Sequence, residues 1–171
     1  MLTAILLATL IASPDVAVAV HDQPGGGYAI RASFTVSASA PAVWSVLTDY
    51  DHLGTFIPSM HSRVLERRGD QATLVAQEAM PGIGVLRVKN RVRLQVDALP
   101  YALIGFTDVA HQDFESFQGN WRLTQDDPLT RVDYQATARP RFMPPLIGAR
   151  LIQENVREML RACRAEVLRR G

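Results

Sequence analysis

The chain has a single cysteine, Cys163, in 171 residues. No intramolecular disulfide can therefore form. The four histidines (His21, His52, His61, His111) are too scattered for zinc-ligand spacing, so no metal is expected. Net charge is almost absent: 18 Lys+Arg against 17 Asp+Glu leave +1, too little for bulk nucleic-acid binding. There is no G-x-S-x-G elbow, no phosphate-binding glycine loop and no H-E-x-x-H, so neither a catalytic motif nor a cofactor is called for. Internal repeats and low-complexity segments are also missing. What remains is an ordinary globular balance, 47% hydrophobic and 20% charged, enough for one sizeable core.

The N-terminus lacks a basic region, with no Lys or Arg between Met1 and Val20. Otherwise residues 1–19 resemble a secretory signal. Leu2 to Ala12 is an apolar run too short to cross a bilayer, and Ala17-Val18-Ala19 fits an A-x-A cleavage site. The expectation is export to the periplasm or medium, with residues 20–27 a flexible linker around Pro24-Gly25-Gly26-Gly27 and residues 28–171 one ligand-binding domain.

From Tyr28 the hydrophobic period is mostly two. Tyr28 to Val36 alternates Ile30, Ala32 and Phe34 with Arg31, Ser33 and Thr35, a strand with one buried side. Ser39 N-caps a short helix with Pro41 in its first turn, burying Val43, Trp44 and Leu47. Asp51 is placed to cap a second short helix that Pro58 stops. Ser62–Glu66 and Ala72–Met80 flank an Arg68-Gly69-Asp70 turn as a hairpin. Leu86–Asp97 is the sharpest alternation, with Leu86, Val88, Asn90, Val92, Leu94 and Val96 opposite Arg87, Lys89, Arg91, Arg93 and Gln95. Tyr101–Thr107, Asp113–Thr124 and Arg131–Ala138 read as three more strands.

The last stretch, Pro144–Arg170, has the helical period. Leu151, Ile152, Val156, Met159, Leu160, Cys163, Val167 and Leu168 form one apolar stripe, and the other face is charged, Glu166 included. A long helix is stable mainly by burying such a stripe. The economical solution is an α+β fold: a curved antiparallel sheet wrapped around a long C-terminal helix.

Several motifs in this order carry a resemblance: Asp49-Tyr50, then Phe56-Ile57-Pro58-Ser59-Met60, then Asp113-Phe114-x-x-Phe117-x-Gly119-x-Trp121-x-Leu123, then the proline-led terminal helix. From Tyr28 onward the chain resembles the polyketide cyclase/dehydrase branch of the START-like (SRPBCC) superfamily, which includes the coenzyme Q-binding proteins. The resemblance implies a helix-grip fold with an apolar tunnel between sheet and helix. It also implies a hydrophobic small-molecule partner of lipid, quinone or isoprenoid type. Fold alone does not fix activity, so carriage without chemistry stands beside a cyclase/dehydratase acting on a polyketide-like or aromatic substrate.

The residues expected around such a tunnel are Phe56, Met80, Ile83, Phe117, Trp121, Phe142, Met143 and Met159, with Asn90 the informative polar one. Taken singly, each apolar residue fits ordinary core better, and it is the set together that points to a cavity. Asn90 sits mid-face in an apolar row, so a neighbouring group, water or a ligand's polar end must satisfy its amide. Glu78 shares a face with Leu74, Ala76 and Met80 if that strand is regular. The basic row Arg87, Lys89, Arg91 and Arg93, with the six arginines of the terminal helix, suits a solvated face or transient contact with an anionic membrane surface. No aromatics interleave with these bases as single-stranded nucleic acid would require. His52, His61, Tyr50 and Asp49 are the residues that could gather at a pocket mouth.

Overall fold

The computed structural model describes residues 15–144 and 146–171. The apolar run Leu2–Ala12 and Pro145 of the expected helix entry lie outside the described residues. Among the described residues, ten strands and two α-helices follow one another: β1 (Ala17–Asp22), β2 (Tyr28–Val36), α1 (Ala40–Leu47), a 3-10 helix (Tyr50–Thr55), β3 (Met60–Arg68), β4 (Gln71–Ala79), β5 (Gly82–Ile83), β6 (Leu86–Arg87), β7 (Asn90–Leu99), β8 (Leu103–Asp108), β9 (Phe114–Asp126), β10 (Leu129–Pro140) and α2 (Gly148–Arg170). Eight strands form one antiparallel sheet in the order β1-β2-β10-β9-β8-β7-β4-β3, and β5–β6 is a separate small hairpin. The sheet curves around α2, which is the helix-grip arrangement.

Most elements arise where period and turn chemistry put them. Ser39 Oγ accepts from Ala42 N at 3.3 Å as the cap of α1. Gly69 turns the β3–β4 hairpin at φ 58°, in the left-handed region that favours glycine. Three readings need correction. Residues 20–27 are not a linker: β1 runs to Asp22 and pairs Ala17–Asp22 with Ser33–Tyr28, so only the Gly25–Gly27 turn remains. Asp51 does not cap the 3-10 helix; it accepts from Val64 N at 2.7 Å and Arg67 at 3.1 Å, tying that helix to β3. The row 86–97 is not one strand, since β6 belongs to the small hairpin and β7 begins at Asn90.

The core is where α2 meets the concave sheet face. Leu151, Val156, Leu160, Cys163 and Val167 are all buried, and each large aliphatic contributes roughly 1.5–3 kcal/mol. The helix starts at Gly148, four residues after the Pro144 entry expected from the prolines. A side chain at Gly148 would collide with the Tyr28 hydroxyl and Met143 Cγ, so glycine permits this close entry. Gly119 answers a similar constraint, because a Cβ there would strike Gln135 O and the Phe106 ring.

Glu166 departs from the charged face to which its spacing assigns it, being only 7% exposed. It accepts from Arg169 and Arg170 at 2.7 Å. Arg170 also reaches Asp49 at 2.9 Å and lies over the Phe56 ring at 5.7 Å, so the network pins the end of α2 to the 3-10 helix. The Arg169 and Arg170 guanidinia hold the Glu166 carboxyl down at about 2, against its ordinary 4.5. A depressed carboxylate stabilises the fold fully above its unfolded value, and the contribution is lost as pH falls from 4.5 toward about 2. Glu166→Gln should therefore cost about 1–3 kcal/mol at pH 7 and flatten the stability profile across that acid window. Denaturant melts at several pH values check this; an unchanged acid limb would show that the network contributes nothing.

Candidate functional site

Helix and sheet do not fill the space between them. A cavity of about 180 Å³ lies along α2, walled by β2, β3, β4, β7, β8, β9 and β10, by α1 and the 3-10 helix, and by Met143. An apolar cavity of about 150 Å³ can admit benzene, so this one takes a ring or a chain end, not a whole long-chain lipid. Ile30, Val92, Leu94, Val96, Ile104 and Phe106 supply the sheet side, and Ile152, Val156, Met159 and Cys163 the helix side. These positions follow from the alternation of the strands and the stripe of α2.

The aromatic floor is continuous. Trp121 and Tyr134 rings lie 4.6 Å apart, Phe106 stacks on Tyr134 at 6.0 Å, and Phe117 contacts both Phe106 (5.3 Å) and Phe114 (5.1 Å). Such contacts fix ring orientation beyond simple burial. Polar groups in the wall are few and neutral: Tyr50, Tyr134, Gln77, Asn90 and Asn155. Among the described residues, no Asp, Glu, Lys, Arg or His lines the cavity.

Among the nine residues expected at the tunnel, Asn90, Phe117, Trp121, Met143 and Met159 are brought together in the wall. Phe56, Met80, Ile83 and Phe142 are not. Phe56 packs on the core beneath Arg170; Met80 and Phe142 are exposed, and Ile83 sits in the β5–β6 hairpin. Their neighbours in sequence are loop residues, where periodicity carries no directional information. Glu78 faces out and pairs with Lys89 at 2.9 Å, while Gln77 and Ala79 face the cavity. Small or apolar residues on both faces of β4 hid that parity.

The histidine cluster does not form either. His52 Nδ1 is 2.6 Å from Asp49 Oδ1 on an exposed turn. His61 instead lines a separate depression on the convex sheet face with Arg63, Glu78, Arg91 and Arg93. Only Tyr50 of the four reaches the cavity wall. Burial pushes its hydroxyl up to about 12 and raises that of Tyr134 as well. The Cys163 thiol, pushed up to about 12 by burial and by the nearby Glu166 charge, stays protonated at neutral pH. Gln77, Tyr134 and Asn155 are the polar lining residues that sequence reasoning did not assign to a pocket. Asn155 was discoverable, because it sits between Ile152 and Met159 on the apolar side of α2.

The basic surface is largely self-neutralised. Arg91 grips Asp113 through two bonds of 2.9 and 3.0 Å, holding that carboxyl below its ordinary value. On α2, Arg157 pairs with Glu154 and Arg161 with Asp15, and Arg164 donates to Thr35 O.

Comparison with known proteins agrees with this geometry. No curated protein sequence matches the chain. Among solved structures, a START superfamily protein from Mycobacterium smegmatis superposes with a TM-score of 0.72 at 14% identity, covering 85% of this chain and 100% of that one. The STAR-related lipid transfer protein from Xanthomonas axonopodis gives 0.71 at 19% identity, covering 91% and 94%. The Zhui aromatase/cyclase from Streptomyces sp. R1128 gives 0.65 at 18%, covering 83% and 94%. At these identities the likeness is one of fold. The sequence itself matches a family model over residues 36–164, most of the domain, and the chain belongs to the polyketide cyclase / dehydrase and lipid transport family.

Proposed function

We propose that the protein binds and carries a hydrophobic small molecule, of lipid, quinone or isoprenoid type, between the sheet and α2. The single observation that carries this is a cavity wall made of aliphatic, aromatic and neutral polar side chains alone. General acid–base catalysis works best with a group titrating near the operating pH. Among the described residues the wall has no carboxylate, imidazole or amine, and its Tyr50 hydroxyl and Cys163 thiol are both pushed up to about 12. This favours carriage over the cyclase/dehydratase reading. One ring or chain end is enclosed, and the rest of a longer guest extends through the mouth.

Protein purified without detergent should yield an apolar molecule on organic extraction, seen by mass spectrometry, because such a wall cannot satisfy water. Adding or stripping a guest should shift the fluorescence of Trp121. Ala138 lines the cavity and is buried. Ala138→Leu should cut guest affinity by at least about tenfold while stability changes by under about 1 kcal/mol. A solid core would instead be overpacked, losing roughly 1–3 kcal/mol. That loss together with an empty extract would refute carriage.

We further propose that the mouth touches anionic membrane surfaces. Val85 on the β5–β6 turn and Leu146 before α2 are fully exposed, Phe142 is 68% exposed, and α2 packs on β5. Arg87, Lys89, Arg141 and Arg150 stand in the same segments. No described helix is long and apolar enough to cross a membrane, so contact would be peripheral. Val85→Asp with Leu146→Asp should abolish co-sedimentation with phosphatidylglycerol vesicles; undiminished binding would exclude this surface.

Export is the third part of the proposal. Val16 is 2% exposed, and Ala17, Val18 and Ala19 pair with Ser33, Ala32 and Arg31. A chain starting at Val20 would lose these contacts, so a junction upstream of Val16 is compatible with the intact edge strand. Intact-mass analysis of protein from a secreting host should show a shortened chain, and its first residue distinguishes the two junctions. Finding only full-length cytoplasmic protein would overturn export.

A further inference from the structure

The wall of the cavity contains one conspicuous polar defect. Tyr50 is 8% exposed, and its hydroxyl is shut off from solvent with no hydrogen-bond partner among the described residues. A buried hydroxyl left unpaired costs about 1–3 kcal/mol, and native structures rarely keep one without a reason. The residue is held firmly in place. Its neighbour Asp49 binds Arg170 at the end of α2, and Asp51 binds Val64 N on β3, so the 3-10 helix is clamped on both sides. The side chain forms part of the cavity wall, and the hydroxyl itself is covered on that side too, so a guest in the cavity meets it by displacing the side chains that cover it.

The charge of that partner is constrained by the rest of the wall. Among the described residues, no cationic side chain lines the cavity to neutralise a carboxylate or phosphate, and no anionic one to receive an amine. A buried ion without a counter-charge is strongly penalised. The other polar groups, Gln77, Asn90, Asn155 and Tyr134, are all neutral.

We infer that the cavity selects an uncharged guest bearing a carbonyl-type oxygen, and that the Tyr50 hydroxyl is the donor that meets it. This rests on the carrier reading and sharpens it, because fatty acids and headgroup phosphates are then poor guests for the enclosed part. A hydroxyl pushed up to about 12 keeps its proton at physiological pH and so remains a donor. Tyr50 is a specificity residue in this account and carries no chemistry.

Three naphthalenes of nearly equal shape test it, read by Trp121 fluorescence at pH 7: 2-acetylnaphthalene, 2-isopropylnaphthalene and 2-naphthoate. Wild-type protein should bind the ketone at least about tenfold more tightly than the carboxylate. Tyr50→Phe should weaken the ketone about tenfold, the loss of one buried hydrogen bond. It should leave the isopropyl compound within about twofold and thermal stability unchanged or higher, since no protein partner is lost. Equal loss for ketone and hydrocarbon, or no loss for either, would overturn the role of Tyr50. Naphthoate binding as tightly as the ketone would overturn the selection for neutral guests, and this arm needs no variant. If the wild-type protein binds none of the three, the carrier reading falls and the inference with it. Binding that is indifferent to Tyr50 sinks the inference alone.

Discussion

Burial of the apolar stripe of α2 by a curved sheet is the constraint on which the rest of this protein depends. Val156, Leu160, Cys163 and Val167 are 5% exposed or less, and without them a 23-residue helix with so charged an outer face has little to hold it. The sheet pays the complementary debt, since its concave face is apolar across β2, β7, β8, β9 and β10. A cylinder cannot fill a concave trough evenly, however. Contact is tight at Gly148 and along the Leu160–Val167 segment, and space is left over Phe106, Trp121 and Tyr134. The cavity follows from the architecture.

The neutral wall then narrows what the space can do. Charged residues are plentiful on this chain, yet they are held outside, and many are paired there: Arg91 with Asp113, Lys89 with Glu78, Arg161 with Asp15. Among the described residues two acids are buried, and both are committed: Glu166 to Arg169 and Arg170, and Asp108 to the backbone N–H groups of Arg93, Ala110 and His111. The family's description covers both transformation and transport, and our proposal of carriage rests on this neutral wall.

Much of this was legible in the sequence, for a definite reason. Period-two strands such as β2 and the inward row of β7 announce their buried face, and the period of α2 announces its stripe. Hence Asn90, Phe117, Trp121 and Met159 could be assigned to the interior from spacing alone. Legibility failed where spacing carries no parity. Loop residues Met80 and Phe142 proved exposed, and β4, apolar on both faces, concealed that Gln77 points in and Glu78 out. Tyr50 was grouped with Asp49, His52 and His61 at a pocket mouth, and a 3-10 turn has too few residues to show that it alone faces inward. Pairing of β1 was masked by its likeness to an export signal.

The central claim is that a dry, guest-sized void persists between α2 and the sheet. Crystals pressurised with xenon test it most directly, because xenon enters apolar cavities and displaces nothing polar. The account predicts strong xenon density over Trp121 and Tyr134 beside Met159, or displacement of an apolar guest already there. Side chains collapsed into that space, or a hydrogen-bonded chain of ordered water filling it, would contradict the account.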